Sequence, residues 1–282
     1  MNKEFNDFII TFNEINSILL KYDCIISPYY SNGEIKKLES IAKRLPLSPT
    51  PDEKERYAEM ISSTLYKENF NYHFRSIILV EGYMTSDWFC NNSHIIEIGM
   101  LEFYRFNFVS CTAIWFPFVE GILRNVLNIP LGQQFNKTIH LSQLKQLQAK
   151  NSELQPFMDS LTLNLAQFLE NVFFKNVHAS NELPSYNFNR HFFGHNLSPA
   201  PYFYSINCLR LINIFDTFLA LNFIQDSYFK TLFDGTDSKV KIREKYYEDV
   251  VRDAMSDINL YKMELLKQHQ NFNENEYYGK YK

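Results

Sequence analysis

Residues 202–223 read Y-F-Y-S-I-N-C-L-R-L-I-N-I-F-D-T-F-L-A-L-N-F. Ile206, Leu209, Ile212, Ile214, Leu219 and Phe223 punctuate the stretch, which reads as one long apolar helix. Ser198-Pro199-Ala200-Pro201, just before it, stops any helix begun upstream and sets the angle of this one. Working back, residues 154–174 put Leu161, Leu165, Phe168 and Val172 on one face, and residues 140–150 form a shorter helix. Residues 94–127 read as a long helix kinked at Pro117, which lacks a backbone donor. Its apolar run, 106–119, is 14 residues with Asn107 inside; that is too short for a bilayer, so a central core helix is expected.

Further out, residues 53–68 and 70–89 read as two helices, the first opened by Thr50-Pro51-Asp52-Glu53 with a capping hydroxyl, a proline in the first turn and acids beside the dipole. Residues 34–44 give a short helix, and residues 3–22 an amphipathic one carrying Phe5, Phe8, Ile9, Phe12, Ile15, Ile18 and Leu19. Its polar face is acidic rather than rich in Lys and Arg, which suits docking to the rest of the protein and not a membrane surface. Downstream, Asp234-Gly235-Thr236-Asp237 marks a boundary, and residues 239–268 read as a charged helix with sparse apolar positions at Val240, Tyr247, Val251, Ile258 and Leu265. Such a strip is solvated by default, or it seams a dimer. The expectation is an all-α chain in three parts: an N-terminal helical region (1–69), a helical bundle (70–225), and a C-terminal helix with its tail (226–282).

Composition agrees. The 282 residues are 45% apolar and 16% aromatic, which excludes global disorder, and only eight are glycine, which disfavours folds built on many tight turns. A net charge of −4 argues against a general nucleic-acid binder but leaves room for a local basic groove, and residues 130–225 carry 6 basic against 5 acidic groups. The four cysteines form no C-x-x-C pair and sit among apolar residues, as buried thiols of a reducing cytosol would. The first residues, M-N-K-E-F-N-D, do not read as a signal peptide, so a cytoplasmic protein is expected.

Residues 186–196, Y-N-F-N-R-H-F-F-G-H-N, concentrate the chemistry. Two of the seven histidines fall here, and Asn189, Arg190, His191, His195 and Asn196 lie within eight residues around the apolar pair Phe192-Phe193. Polar groups pinned to a packed wall suit a preorganised site. Five residues along a helix rotate two side chains by about 140°, so Arg190 belongs at a helix start or in the preceding loop, with His195 one turn in. His191 and His195 also form H-x-x-x-H, a spacing that lets two imidazoles share a metal. Phe192 stands where H-E-x-x-H needs its glutamate, and a third ligand would have to come from Glu120 or Glu182, so no metal is expected. Glu120, after a mostly apolar run, needs a partner: Arg124 four residues on, or Arg190 or His195 from a neighbouring helix.

Arg190 and His195 match R-x(4–6)-H, and the string N-R-H-x-x-x-H resembles that of bacterial members of the HEPN superfamily. Residues 116–124, F-P-F-V-E-G-I-L-R, resemble the helix such proteins place before the motif, and residues 202–223 the long helix after it. The resemblance covers roughly residues 70–225; Asn196 stands where those relatives commonly have glycine. It implies a HEPN-like bundle, a homodimer whose Arg and His meet across the interface, and a metal-independent endoribonuclease without cofactor, in phage defence or as a toxin. In that role His195 is the acid/base group and Arg190 the phosphate clamp, with Asn189, His191, Asn196 and Glu120 in support. RNA is then the substrate, a regulatory protein a further partner, and a membrane none. The rival is a non-catalytic module of the same shape that holds RNA, a nucleotide or a protein. A structural helical protein with a chance motif is the third possibility.

Overall fold

The computed structural model describes residues 3–130, 132–176, 188–190, 205–226 and 235–268, with the side chains at 55, 59, 68 and 258–268 left aside. The described residues are all-α and contain no strand. The α-helices are α1 (Lys3–Leu19), α2 (Asn32–Ala42), α3 (Pro51–Asn69), α4 (Tyr72–Ile77), α5 (Ser93–Tyr104), α6 (Phe108–Val126), α7 (Lys137–Leu144), α8 (Gln155–Phe168), α9 (Ser205–Gln225) and α10 (Ser238–Gln268). Helix α9 is the axis: every residue from Ile206 to Ile224 is buried. It is enclosed by α3, α6 and α8; α5 lies along α6, α1 joins α2 to α8, and α10 packs on α4 and α5. One apolar core runs from Ile9 to Val250 through all these elements. Among the described residues α9 is the one helix long and apolar enough to cross a bilayer, and that stretch is wholly buried inside the protein, as a core helix is.

Helix starts follow their sequence signals. Thr50 and Ser31 each close a capping box, the hydroxyl accepting from the backbone N–H of Glu53 or Glu34 while that glutamate reaches back to the cap. Helix α10 buries Val240, Tyr247 and Val250.

Several features depart from expectation. Residues 94–127 are two helices rather than one kinked at Pro117. Helix α5 ends in a Schellman turn in which Phe106 takes a left-handed φ of 58° and the Asn107 N–H donates to Glu102 O at 2.9 Å. Asn107 then caps α6, accepting from the Ser110 N–H at 3.3 Å, while Pro117 sits exposed inside an unbroken α6. Residues 70–89 are helical only to Tyr83, and the last turn, Ile78–Tyr83, is π-helical; α8 finishes the same way over Leu169–Phe173. The thiols divide: Cys24, Cys111 and Cys208 are buried, whereas Cys90 is exposed.

Helix α9 carries a buried polar row as well as its apolar mass. The Asp216 carboxylate, fully buried, accepts from Arg75 Nη1 at 3.0 Å, Tyr83 Oη at 2.7 Å and Ser27 Oγ at 2.7 Å. Arg75 also donates to Asn69, whose Nδ2 meets Tyr30 Oη at 2.6 Å, and Tyr30 donates to Asn213 Oδ1 at 3.0 Å. Burial pushes the Tyr83 hydroxyl well above its usual range and Asp216 adds to this, so Tyr83 remains a neutral donor. For Arg75, burial works against the charge, but the Asp216 carboxylate opposes it and the guanidinium stays protonated.

Helices α5 and α6 touch closely at Gly99. A Cβ there would lie 2.0 Å from Nε1 of the fully buried Trp115, whose indole donates to Ile95 O at 3.2 Å. Gly→Ala inside a helix ordinarily stabilises by about 0.5–1 kcal/mol. Here overpacking reverses the sign, and Gly99→Ala is expected to cost about 1–3 kcal/mol, read as a lower urea midpoint. An unchanged midpoint would contradict the contact.

Candidate functional site

Residues 188–190 are held by α6, by the end of α8 and by α9. Phe188 is buried against Phe116 of α6 (5.0 Å between ring centroids), Phe168 (5.8 Å) and Phe173 (6.0 Å), with the buried Arg210 guanidinium of α9 lying 5.3 Å from its ring. Asn189 is also buried. Its Nδ2 donates to Val172 O at 3.0 Å and to Lys175 O at 2.9 Å. These carbonyls lie at and just beyond the π-helical end of α8, and one amide side chain binds both. Asn189 is therefore an anchor. Arg190, the first helical residue after it, turns outward, with its side chain 51% exposed.

The Arg190 guanidinium is fixed on two sides. Its Nη2 lies 2.7 Å from Glu120 Oε2, and its carbon sits 5.8 Å from the centre of the Phe174 ring. Glu120 is shared: its Oε1 takes Arg124 Nε at 3.0 Å, one helical turn on. Both partners foreseen for Glu120 among the described residues are thus engaged, one by each oxygen. Arg124 is itself held at a further point, donating Nη1 to Gln133 O at 2.9 Å, and lies 5.7 Å from the Phe135 ring. Phe135 stacks on Phe174 at 4.9 Å, closing a ring of contacts: Arg190, Glu120, Arg124, Phe135, Phe174 and back to Arg190. His140 props Phe135 from the side at 4.8 Å, and its Nδ1 accepts the Asn136 N–H at 3.1 Å, which puts the ring proton on Nε2.

This arrangement presents a planar, permanently charged fork at a surface, backed by a carboxylate that fixes its orientation without neutralising the cluster, because Arg124 balances Glu120. It can hold a phosphate by two parallel hydrogen bonds. His191, His195, Asn196 and the alternative metal ligand Glu182 lie outside the described residues. Among the described residues no group of three His, Cys, Asp or Glu side chains is gathered as a metal site. The Phe135–Phe174 pair, Lys137 and the anchoring use of Asn189 had no local signal: Phe135 and Phe174 are 39 positions apart, and nothing in either neighbourhood announces the stack.

Compared with known proteins, the chain matches no family model, no curated protein and no solved structure.

Proposed function

We propose that the chain is a metal-independent endoribonuclease that cleaves RNA through Arg190 and His195, acting as a cytoplasmic homodimer in phage defence or as a growth-arresting toxin. The observation that carries the reading is the pose of Arg190: an exposed guanidinium oriented by Glu120, one residue after a buried anchor and five before a histidine. The resemblance of N-R-H-x-x-x-H to the HEPN signature supplies the reaction.

The ribose 2′-oxygen attacks the adjacent phosphorus and gives its proton to the His195 imidazole, imidazoles being the side chains that exchange protons near neutral pH. The bond from phosphorus to the 5′-oxygen breaks, and that oxygen takes a proton from an imidazolium. The products are a 2′,3′-cyclic phosphate and a 5′-hydroxyl. Arg190 grips the non-bridging oxygens and stabilises the charge that builds on them in the phosphorane. Its hydrogen bonds strengthen as that charge grows, so they favour the transition state over the bound substrate. His191 and Asn196, beside these two residues in sequence, support the imidazole and the phosphate.

Incubating RNA with purified protein in excess EDTA, beside His195→Ala, tests this. Cleavage by the wild type and none by the folded variant is the expected result. Cleavage abolished by EDTA would replace the mechanism with a metal-dependent one. RNA binding without cleavage by either protein would replace it with the non-catalytic module.

A further inference from the structure

Phe174 gathers more positive charge than Arg190 alone. Lys137 Nζ lies 3.5 Å from the Phe174 carbonyl oxygen, and Lys175 follows in sequence, its own carbonyl taken by Asn189. Neither lysine pairs with a carboxylate among the described residues, although Lys43, Lys54, Lys145 and Lys245 each do. Of these two lysines and the two arginines, Arg124 and Arg190 alone have a carboxylate partner among the described residues, the shared Glu120, in a chain of net charge −4. A cluster with more cations than carboxylate partners on an acidic protein suits an anion extended beyond one phosphate.

The aromatic groups of the cluster are already occupied. Phe174 is bounded by Phe135, Phe173 and Arg190, and Phe135 by Phe174, His140 and Arg124. Protein surfaces that stack nucleobases keep aromatic faces open. Here the rings serve to stiffen the guanidinium groups, and the groups left for a ligand are point charges.

We propose that Lys137 and Lys175 extend the Arg190 site into a track for the phosphates flanking the scissile one, so that single-stranded RNA is held by its backbone, without bases stacking on Phe135 or Phe174. The choice of RNA rests on the endoribonuclease reading; the track itself is testable apart from it. A strand carries its phosphates at regular intervals, and Lys137, at the Phe174 carbonyl, with Lys175, next to Phe174 in sequence, supply the sequence-independent part of binding.

The test is fluorescence anisotropy with 2′-O-methyl RNA, which lacks the nucleophile and survives intact, over a range of salt concentrations. For wild type, log K falls linearly with log salt. Lys137→Ala and Lys175→Ala are each expected to flatten that slope by about 0.7, one single-strand phosphate contact, and by the same amount for uridine-rich and adenine-rich oligonucleotides. Lys137→Arg is expected to retain the slope, because charge is what the contact requires. Slopes unchanged by both alanine variants, losses that depend on base identity, or no binding by wild type would each overturn the track. Binding with the expected slopes by a wild-type protein that cleaves no RNA would sustain the track and remove the nuclease reading, so the two fail separately.

Discussion

Arg190→Ala is expected to lower RNA cleavage by about 10²–10³-fold or more, the usual penalty for removing one donor aimed at developing transition-state charge. Stability should barely change. The side chain is half exposed, and its ion pair with Glu120 is of the partly solvated kind worth at most about 1 kcal/mol. Glu120 keeps Arg124 when Arg190 is removed, so no carboxylate is stranded. Arg190→Lys should not restore activity, because an ammonium keeps the charge but loses the planar fork. Single-turnover cleavage beside a urea titration separates the two effects. Full activity in a folded Arg190→Ala protein would refute the assignment, whereas an inactive variant that has unfolded would make Arg190 a structural residue.

The second large effect concerns the fold. Asp216→Ala removes the acceptor shared by Arg75, Tyr83 and Ser27 and leaves the Arg75 charge in a site where its residue is only 4% exposed. Breaking a buried ion pair from one side costs about 3–5 kcal/mol, because the remaining charge is neither solvated nor paired. Chemical denaturation of Asp216→Ala should show a loss of that order, with its effect on cleavage confined to the unfolded fraction. Replacing both members, Arg75→Met with Asp216→Leu, should recover part of the loss, since no charge is then stranded. A loss below about 1 kcal/mol for Asp216→Ala would mean that water reaches the pair and that the network does not fix α9 in place.

How much the sequence reveals depends on whether the determining contacts are local. The Thr50 helix start and the i,i+4 pairing of Glu120 with Arg124 are legible because each is a pattern within four residues, whereas the Ser31 capping box opens a helix two residues before the start expected at 34. The break between α5 and α6 is harder to read, because Asn107 interrupts an apolar run that otherwise reads as continuous helix, and a phenylalanine fills the left-handed position where glycine is usual. Arg75 and Asp216, 141 positions apart, leave no trace of their pairing, and Asp216 passes for a minor polar insertion in an apolar helix. Asn189 shows the same limit at the site. Its neighbours make it look like a polar group for a ligand, but its role is set by two carbonyls at the end of a π-helical turn that no residue pattern announces.

The central claim, cleavage by 2′-hydroxyl attack without a metal, is tested most directly by mass spectrometry of the RNA 3′ ends produced in excess EDTA. The account predicts 2′,3′-cyclic phosphates opposite 5′-hydroxyl fragments from wild type, and neither from His195→Ala. Fragments ending in 3′-hydroxyls, with the phosphate on the 5′ side, would show that water and not the ribose is the nucleophile and would contradict it.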